Sequence, residues 1–208
     1  MSPILVLAEK EFRDGLRNKW VAGATLLLAA LAFALTFLGS SPAGLVEAKP
    51  LAVTVVSISS LTIFLIPLIA LLIGYDAIVG ESERGCLLLM LTYPVSRGQI
   101  MLGKFLGHAT ILTVATLVGY GAAGLAAAMT GNADAESWRA FSALLGSSVL
   151  LGLAFLALAY LASVLVAERS TAAGLAVGLW LIFVIVYDLA LMGLLVASKG
   201  GVGADVFP

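Results

Sequence analysis

The sequence predicts an all-α polytopic membrane protein with five visible transmembrane helices, an amphipathic helix before them and a short cytoplasmic helix between the second and third. Three observations carry this. Of 208 residues, 62% are hydrophobic and 11% charged, against about 25% charged in an ordinary soluble domain. The apolar residues gather into five long stretches, each near the ~20 residues a helix needs to cross ~30 Å of hydrocarbon. Nothing alternates with period two over about ten residues between turns, as a membrane barrel requires.

Residues 1–19 form the first element. Leu5, Ala8, Phe12 and Leu16 recur at three- or four-residue steps, while Glu9, Lys10, Arg13, Asp14 and Arg17 fall mostly elsewhere. This is the pattern of an interfacial helix lying under the inner leaflet and turning at Trp20, whose ring suits the headgroup boundary. A plain basic anchor is the simpler alternative, and both readings place the segment in the cytoplasm. The stretch is too mixed in charge for a signal peptide and has no obvious small-residue cleavage site.

The transmembrane domain, residues 20–208, has spans expected at 20–38, 51–74, 105–130, 140–167 and 171–196. They are helical because hydrocarbon offers no partner to an open backbone group. Only His108 and Asp188 are ionisable within them. If the N-terminus is cytoplasmic, the inner side receives Lys10, Arg13, Arg17, Lys19, Arg84, Arg97, Lys104 and Arg169, and the outer side only Lys49, Arg139 and Lys199. The positive-inside rule therefore orients the chain with its N-terminus inside. Five spans leave the other end outside, and a sixth span is expected beyond residue 208. Gly103 with Gly107, Gly119 with Ala123, and Gly174 with Gly178 are small residues four apart, spaced for close helix approach.

Composition also narrows the chemistry. A net charge of -1 offers no basic surface for nucleic acid. Cys86 is the single cysteine and no Cys/His cluster has metal-site spacing, so no metal site is expected. Cys86 and Met90, four apart, could both meet copper(I), but two soft ligands make no site and they read as filling an apolar helix face. The sequence lacks HExxH, GxSxG and paired catalytic carboxylates, so no catalytic residue is assigned and no enzyme activity is expected. "GQIMLGKF", residues 98–105, nearly spells a phosphate-binding loop. Phe105 stands where a hydroxyl is needed and no strand precedes Gly98, so Lys104 reads as a positive-inside anchor. His108 reads as bonded to a neighbouring helix. Asp188 is either an intramembrane functional acid or an interfacial acid near the outer boundary, beside Tyr187.

The remaining segment, 75–104, is the cytoplasmic loop. It reads "YDAIVGESERGCLLLMLTYPVSRGQIMLGK": a charged start, a tight turn at Gly85, an apolar helical stretch with Leu87, Leu88 and Leu91, and Pro94 to stop that helix before Arg97. Spacing alone leaves two readings open, a docking element and a solvated connector. The segment resembles the signature region of ABC-2 type transporter permeases. Asp76, Ala77, Ile78, Glu81, Glu83, Gly85, Leu87, Pro94, Val95, Ser96, Arg97, Gly103 and Lys104 stand at matching positions, and Cys86 replaces the usual threonine.

That resemblance implies a homodimeric six-helix permease of the bacterial inner membrane, carrying cytoplasmic ATPase subunits and engaging a periplasmic accessory protein. ATP and magnesium would be held by the partner ATPase, with no cofactor on this chain. Glu81, Glu83, Arg84, Gly85, Pro94 and Arg97 would form the ATPase-coupling loop, with Glu168 and Arg169 at the other inner turn nearby. Within the family the chain is most similar to permeases that serve maturation of the copper enzyme nitrous oxide reductase. An exporter of lipid, drug or polysaccharide and a membrane scaffold for a maturation complex are the competing expectations. The sparse polar groups in the spans argue against a wide hydrated path for a bare metal ion.

Overall fold

A computed structural model describes residues 2–38, 50–130 and 134–202. Nine α-helices run through these residues: α1 Pro3–Arg17, α2 Lys19–Leu38, α3 Pro50–Gly74, α4 Val79–Glu83, α5 Cys86–Met90, α6 Arg97–Thr130, α7 Ala135–Leu165, α8 Arg169–Leu181 and α9 Tyr187–Val202. A π-helical turn, Ile182–Val186, joins the last two. The described residues contain no strand, and the protein is an all-α polytopic membrane protein.

Four described helices are long and apolar enough to cross a membrane, or five if α1 and α2, bent by 65°, are counted together. The bend falls at Asn18, whose backbone is extended, two residues before the Trp20 that the sequence pointed to; the Trp20 side chain lies outside the described residues. α6 is the longest element at 34 residues, about 51 Å at 1.5 Å per residue. It begins eight residues before the apolar run at 105, because Ser96 and Gln99 form a capping box. The Ser96 amide donates to Gln99 Oε1 at 3.0 Å and the Gln99 amide to Ser96 Oγ at 3.2 Å. α7 starts on Asp134, whose carboxylate accepts the Ser137 amide at 3.1 Å.

The core forms where α2, α3, α6 and α7 meet, around Leu28, Ile58, Ile66, Leu112 and Leu156. Hydrocarbon supplies little drive for helices to associate, so small residues and hydrogen bonds carry more of the specificity. Tyr120 is fully buried there, its hydroxyl 3.2 Å from that of Thr62. Pro67 cannot donate to the ladder of α3. Three residues before it, the Phe64 carbonyl accepts Trp180 Nε1 of α8 at 2.9 Å. Of the glycine pairs, Gly103 and Gly107 seat α1 on α6. A Cβ on Gly103 would stand 2.6 Å from Leu7 Cβ, and one on Gly107 2.5 Å from Glu11 Cβ. Gly119 faces Leu28 of α2, whereas Gly174 and Gly178 face open space.

α1 is helical, and the face it packs is not centred on its apolar stripe. Its buried face is Ile4, Leu7, Glu11 and Gly15, turned toward α6. Of the apolar stripe, Leu5 and Leu16 are more than half exposed, while Ala8 and Phe12 are partly buried beside Gly107 of α6. The apolar stripe straddles the packed face and the open one, and the glycines of α6 mark where the two helices meet.

Candidate functional site

The segment after α3 divides at Gly85. α4 is short and mostly polar, Val-Gly-Glu-Ser-Glu, and an isolated turn of five residues would not form in water. Three neighbouring helices hold it. Ser163 of α7 accepts the amides of Ile78 and Val79, each at 3.1 Å, satisfying two donors left open at its N-terminus. Lys104 of α6 reaches Glu81 at 2.8 Å. At the start of α8, the Arg169 amide donates to Glu83 Oε1 at 2.7 Å and Arg169 Nε stands 2.6 Å from Asp76 Oδ1. Gly80 leaves the room that the Asp76 carboxylate occupies.

Lys104 is the centre of a buried ion triad. Its side chain is 3% exposed, and it lies 2.9 Å from Glu11 of α1 as well as 2.8 Å from Glu81. Burial alone would raise the Glu11 carboxyl; the charge and hydrogen bond of Lys104, with help from Lys10, outweigh that and hold it below its usual value. Glu11 Oε2 also lies 3.6 Å from His108 Nε2, while His108 Nδ1 is 2.7 Å from the Tyr160 hydroxyl of α7. With a proton on Nε2 facing the carboxylate, Nδ1 accepts from Tyr160. The network thus joins α1, α4, α6 and α7 at one end of the bundle.

Beyond Gly85, whose φ of 71° is left-handed and suits glycine, α5 is the opposite of α4. It reads Cys-Leu-Leu-Leu-Met, and none of its five residues is buried. Leu88 is 72% exposed, Leu89 67% and Tyr93 69%. The helix ends at Met90, so Pro94 is not what stops it. Pro94 instead sits in a tight turn closed by the Val95 amide on the Tyr93 carbonyl at 2.7 Å, just before the Ser96 cap.

The residues assigned to coupling therefore separate into two groups. Glu81 is turned inward onto Lys104, and Glu83, Arg169 and Glu168 gather where α4 meets α8, with Glu168 preceding that helix in extended backbone. Arg84, Pro94 and Arg97 are exposed, with Gly85 between the two helices. Cys86 is exposed too and does not fill an apolar face. Lys104 is no surface anchor but the buried cation of the triad. His108 does bond to a neighbouring helix, through Tyr160. Residues 98–105 are helical throughout, so their amides follow α6 and form no phosphate cradle. Asp188 is on α9, and its side chain lies outside the described residues. Among the described residues no three His, Cys, Asp or Glu side chains converge as metal ligands.

Sequence reasoning missed Glu11, Tyr160 and Ser163. The trace it left was a carboxylate on the small-residue side of α1, between Ala8 and Gly15, with Lys104 directly after the Gly103 on which α1 sits.

The chain matches the ABC-2 family transporter protein over residues 5–202. It is 50% identical over 210 residues to a probable ABC transporter permease protein NosY of Pseudomonas aeruginosa, an alignment covering 100% of this chain and 76% of that protein. The probable permease NosY of Stutzerimonas stutzeri is 48% identical over 210 residues, with the same coverage. On the strength of these matches the chain belongs to the ABC-2 transporter permeases, of the NosY type.

Proposed function

We propose that this chain is the non-catalytic membrane subunit of a homodimeric ABC transporter, receiving force from a separate ATPase through the α4–α5 hairpin. The N-terminus lies in the cytoplasm and the protein in the bacterial inner membrane, with ATP and magnesium held by the partner ATPase. The observation that carries the reading is the contrast across Gly85: α5 and the turn after it offer Leu88, Leu89 and Tyr93 to a partner, and α4 is fastened to α6, α7 and α8 by Lys104, Ser163 and Arg169. A push on α5 would reach Glu81, Glu83 and Arg84, and from there the bundle, which shifts between two arrangements.

By similarity to the NosY permeases, the work serves copper-site maturation of nitrous oxide reductase, with a periplasmic accessory protein on the outer face. No residue here is assigned to a transported species. The test is co-purification of the ATPase subunit with Leu88→Asp and Leu89→Asp variants. The expected result is loss of the ATPase with the permease still folded; full retention and unchanged ATPase stimulation would sink the docking role. A partner ATPase unable to hydrolyse ATP should also abolish maturation, which a passive scaffold would tolerate.

A further inference from the structure

Two breaks in regular helix meet where α3, α7 and α8 pack together. Pro67 of α3 has no N–H for the Ile63 carbonyl, so the ladder opens there. The next carbonyl, that of Phe64, accepts Trp180 Nε1 of α8 at 2.9 Å. Two residues after Trp180 the last span leaves the α-helical pattern for the π-helical turn Ile182–Val186. In hydrocarbon a proline break persists where neighbouring groups bond the freed backbone, and helix kinks concentrate at prolines and π-turns. The span is held on one side of this junction and open on the other. Arg169 ties its start to Asp76 and Glu83, Ala172 and Ala176 are buried, and Phe183 meets Phe155 of α7 edge to face with ring centres 5.2 Å apart. No described residue after Ala176 is buried, and on α9 Leu189, Met192, Leu194 and Val196 are 66% to 72% exposed. Only 11% of the apolar stretch of this span is buried, against 39% to 50% in the other three.

We infer that the last span is jointed at this π-turn. Arg169–Leu181 stays with the bundle, Tyr187–Val202 swings beside it, and the Trp180–Phe64 hydrogen bond is the latch that favours one of the two positions. Little packing opposes the swing, since no described residue of α9 is buried. The π-turn supplies the slack. Its i→i+5 bonds hold one residue more per turn than an α-helix, and moving that extra residue along the chain rotates α9 while the ladder stays bonded. The latch has a definite sign. An indole N–H that leaves the Phe64 carbonyl finds no water in hydrocarbon, so the latched position is favoured, and a side chain without that N–H releases it. The joint does not depend on ATPase docking, because every group in it belongs to the spanning helices.

The test is fluorine NMR of the full chain in lipid nanodiscs, with a trifluoromethyl probe on one introduced cysteine in a Cys86→Ser background, Cys86 being exposed and the single native thiol. Leu194→Cys reports α9, and Val177→Cys reports α8 before the joint; both positions are exposed. The α9 probe should give two lines, or one line broadened by exchange, and the α8 probe a single sharp line. Trp180→Phe keeps a ring and removes the donor, and should shift the ratio of the α9 positions by about fivefold, the worth of one neutral hydrogen bond. Deleting Ile185 removes the extra residue of the π-turn and should leave one α9 line. Trp180 is only partly buried, so its variant stays folded even if the deletion does not. A single sharp line from the α9 probe with the joint intact, equal splitting of the α8 probe, or an unchanged ratio in Trp180→Phe would each overturn the joint.

Discussion

α4 and α5 are two helices of five residues on either side of one glycine, and they invert the usual rule of burial. The polar one is fixed by three larger helices, and the apolar one stands in the open. A buried ion pair is weak evidence for net stability, since desolvation opposes attraction, but it fixes position strongly because neither partner can leave alone. The comparison teaches that the charges of this loop serve as its anchorage while its leucines are left open.

The strongest way to break that contrast is at the anchor. Lys104→Met takes the cation from buried Glu81 and leaves Glu11 only the half-exposed Lys10, and disrupting such a buried set costs about 3–5 kcal/mol. Thermal unfolding in detergent should show a large loss, partly recovered when Glu11→Gln and Glu81→Gln are added. Acid should do part of the same. The Glu11 pKa is lowered, so its contribution is fully present above the unfolded value of 4.5 and is lost as pH falls through the lower folded value. Melting temperature should hold near neutrality and drop below about pH 4.5, with the drop reduced in Glu11→Gln.

Ser163→Ala orphans the amides of Ile78 and Val79 and should destabilise by about 1–3 kcal/mol, read as faster hydrogen exchange across residues 78–83. Gly85→Ala forces a side chain into the left-handed region at roughly 1 kcal/mol. Its signature should be altered exchange in α5 with little change in α4. Smallest in stability is Leu88→Ser, expected within about 0.5 kcal/mol as an exposed position. If it matched Lys104→Met in unfolding, the contrast between the two helices would collapse.

The spans were readable because hydrocarbon acts on every residue alike, so their signal adds along the chain; the Ser96–Gln99 box is similarly local. The glycines at 103 and 107 announced a close approach without naming α1 as the visitor. The triad was out of reach, because Glu11 and Lys104 are separated by 93 positions and no periodicity links them. Lys104 even carried a misleading cue, since a lysine beginning an apolar run ordinarily reaches for water. Pro94 misled similarly: a proline after an apolar turn suggests a stop, yet α5 has already ended at Met90.

The length of α6 has a mechanical consequence. Its Ser96 cap adjoins the exposed hairpin, Lys104 lies two turns along, and Thr130 is at the opposite end. If α1, seated on Gly103 and Gly107, serves as the fulcrum, the long arm beyond Gly107 is about 35 Å at 1.5 Å per residue. A tilt of about 5° at that fulcrum would then carry the far tip some 3 Å, roughly the width of a water molecule, so a small stroke at one membrane face becomes a usable displacement at the other.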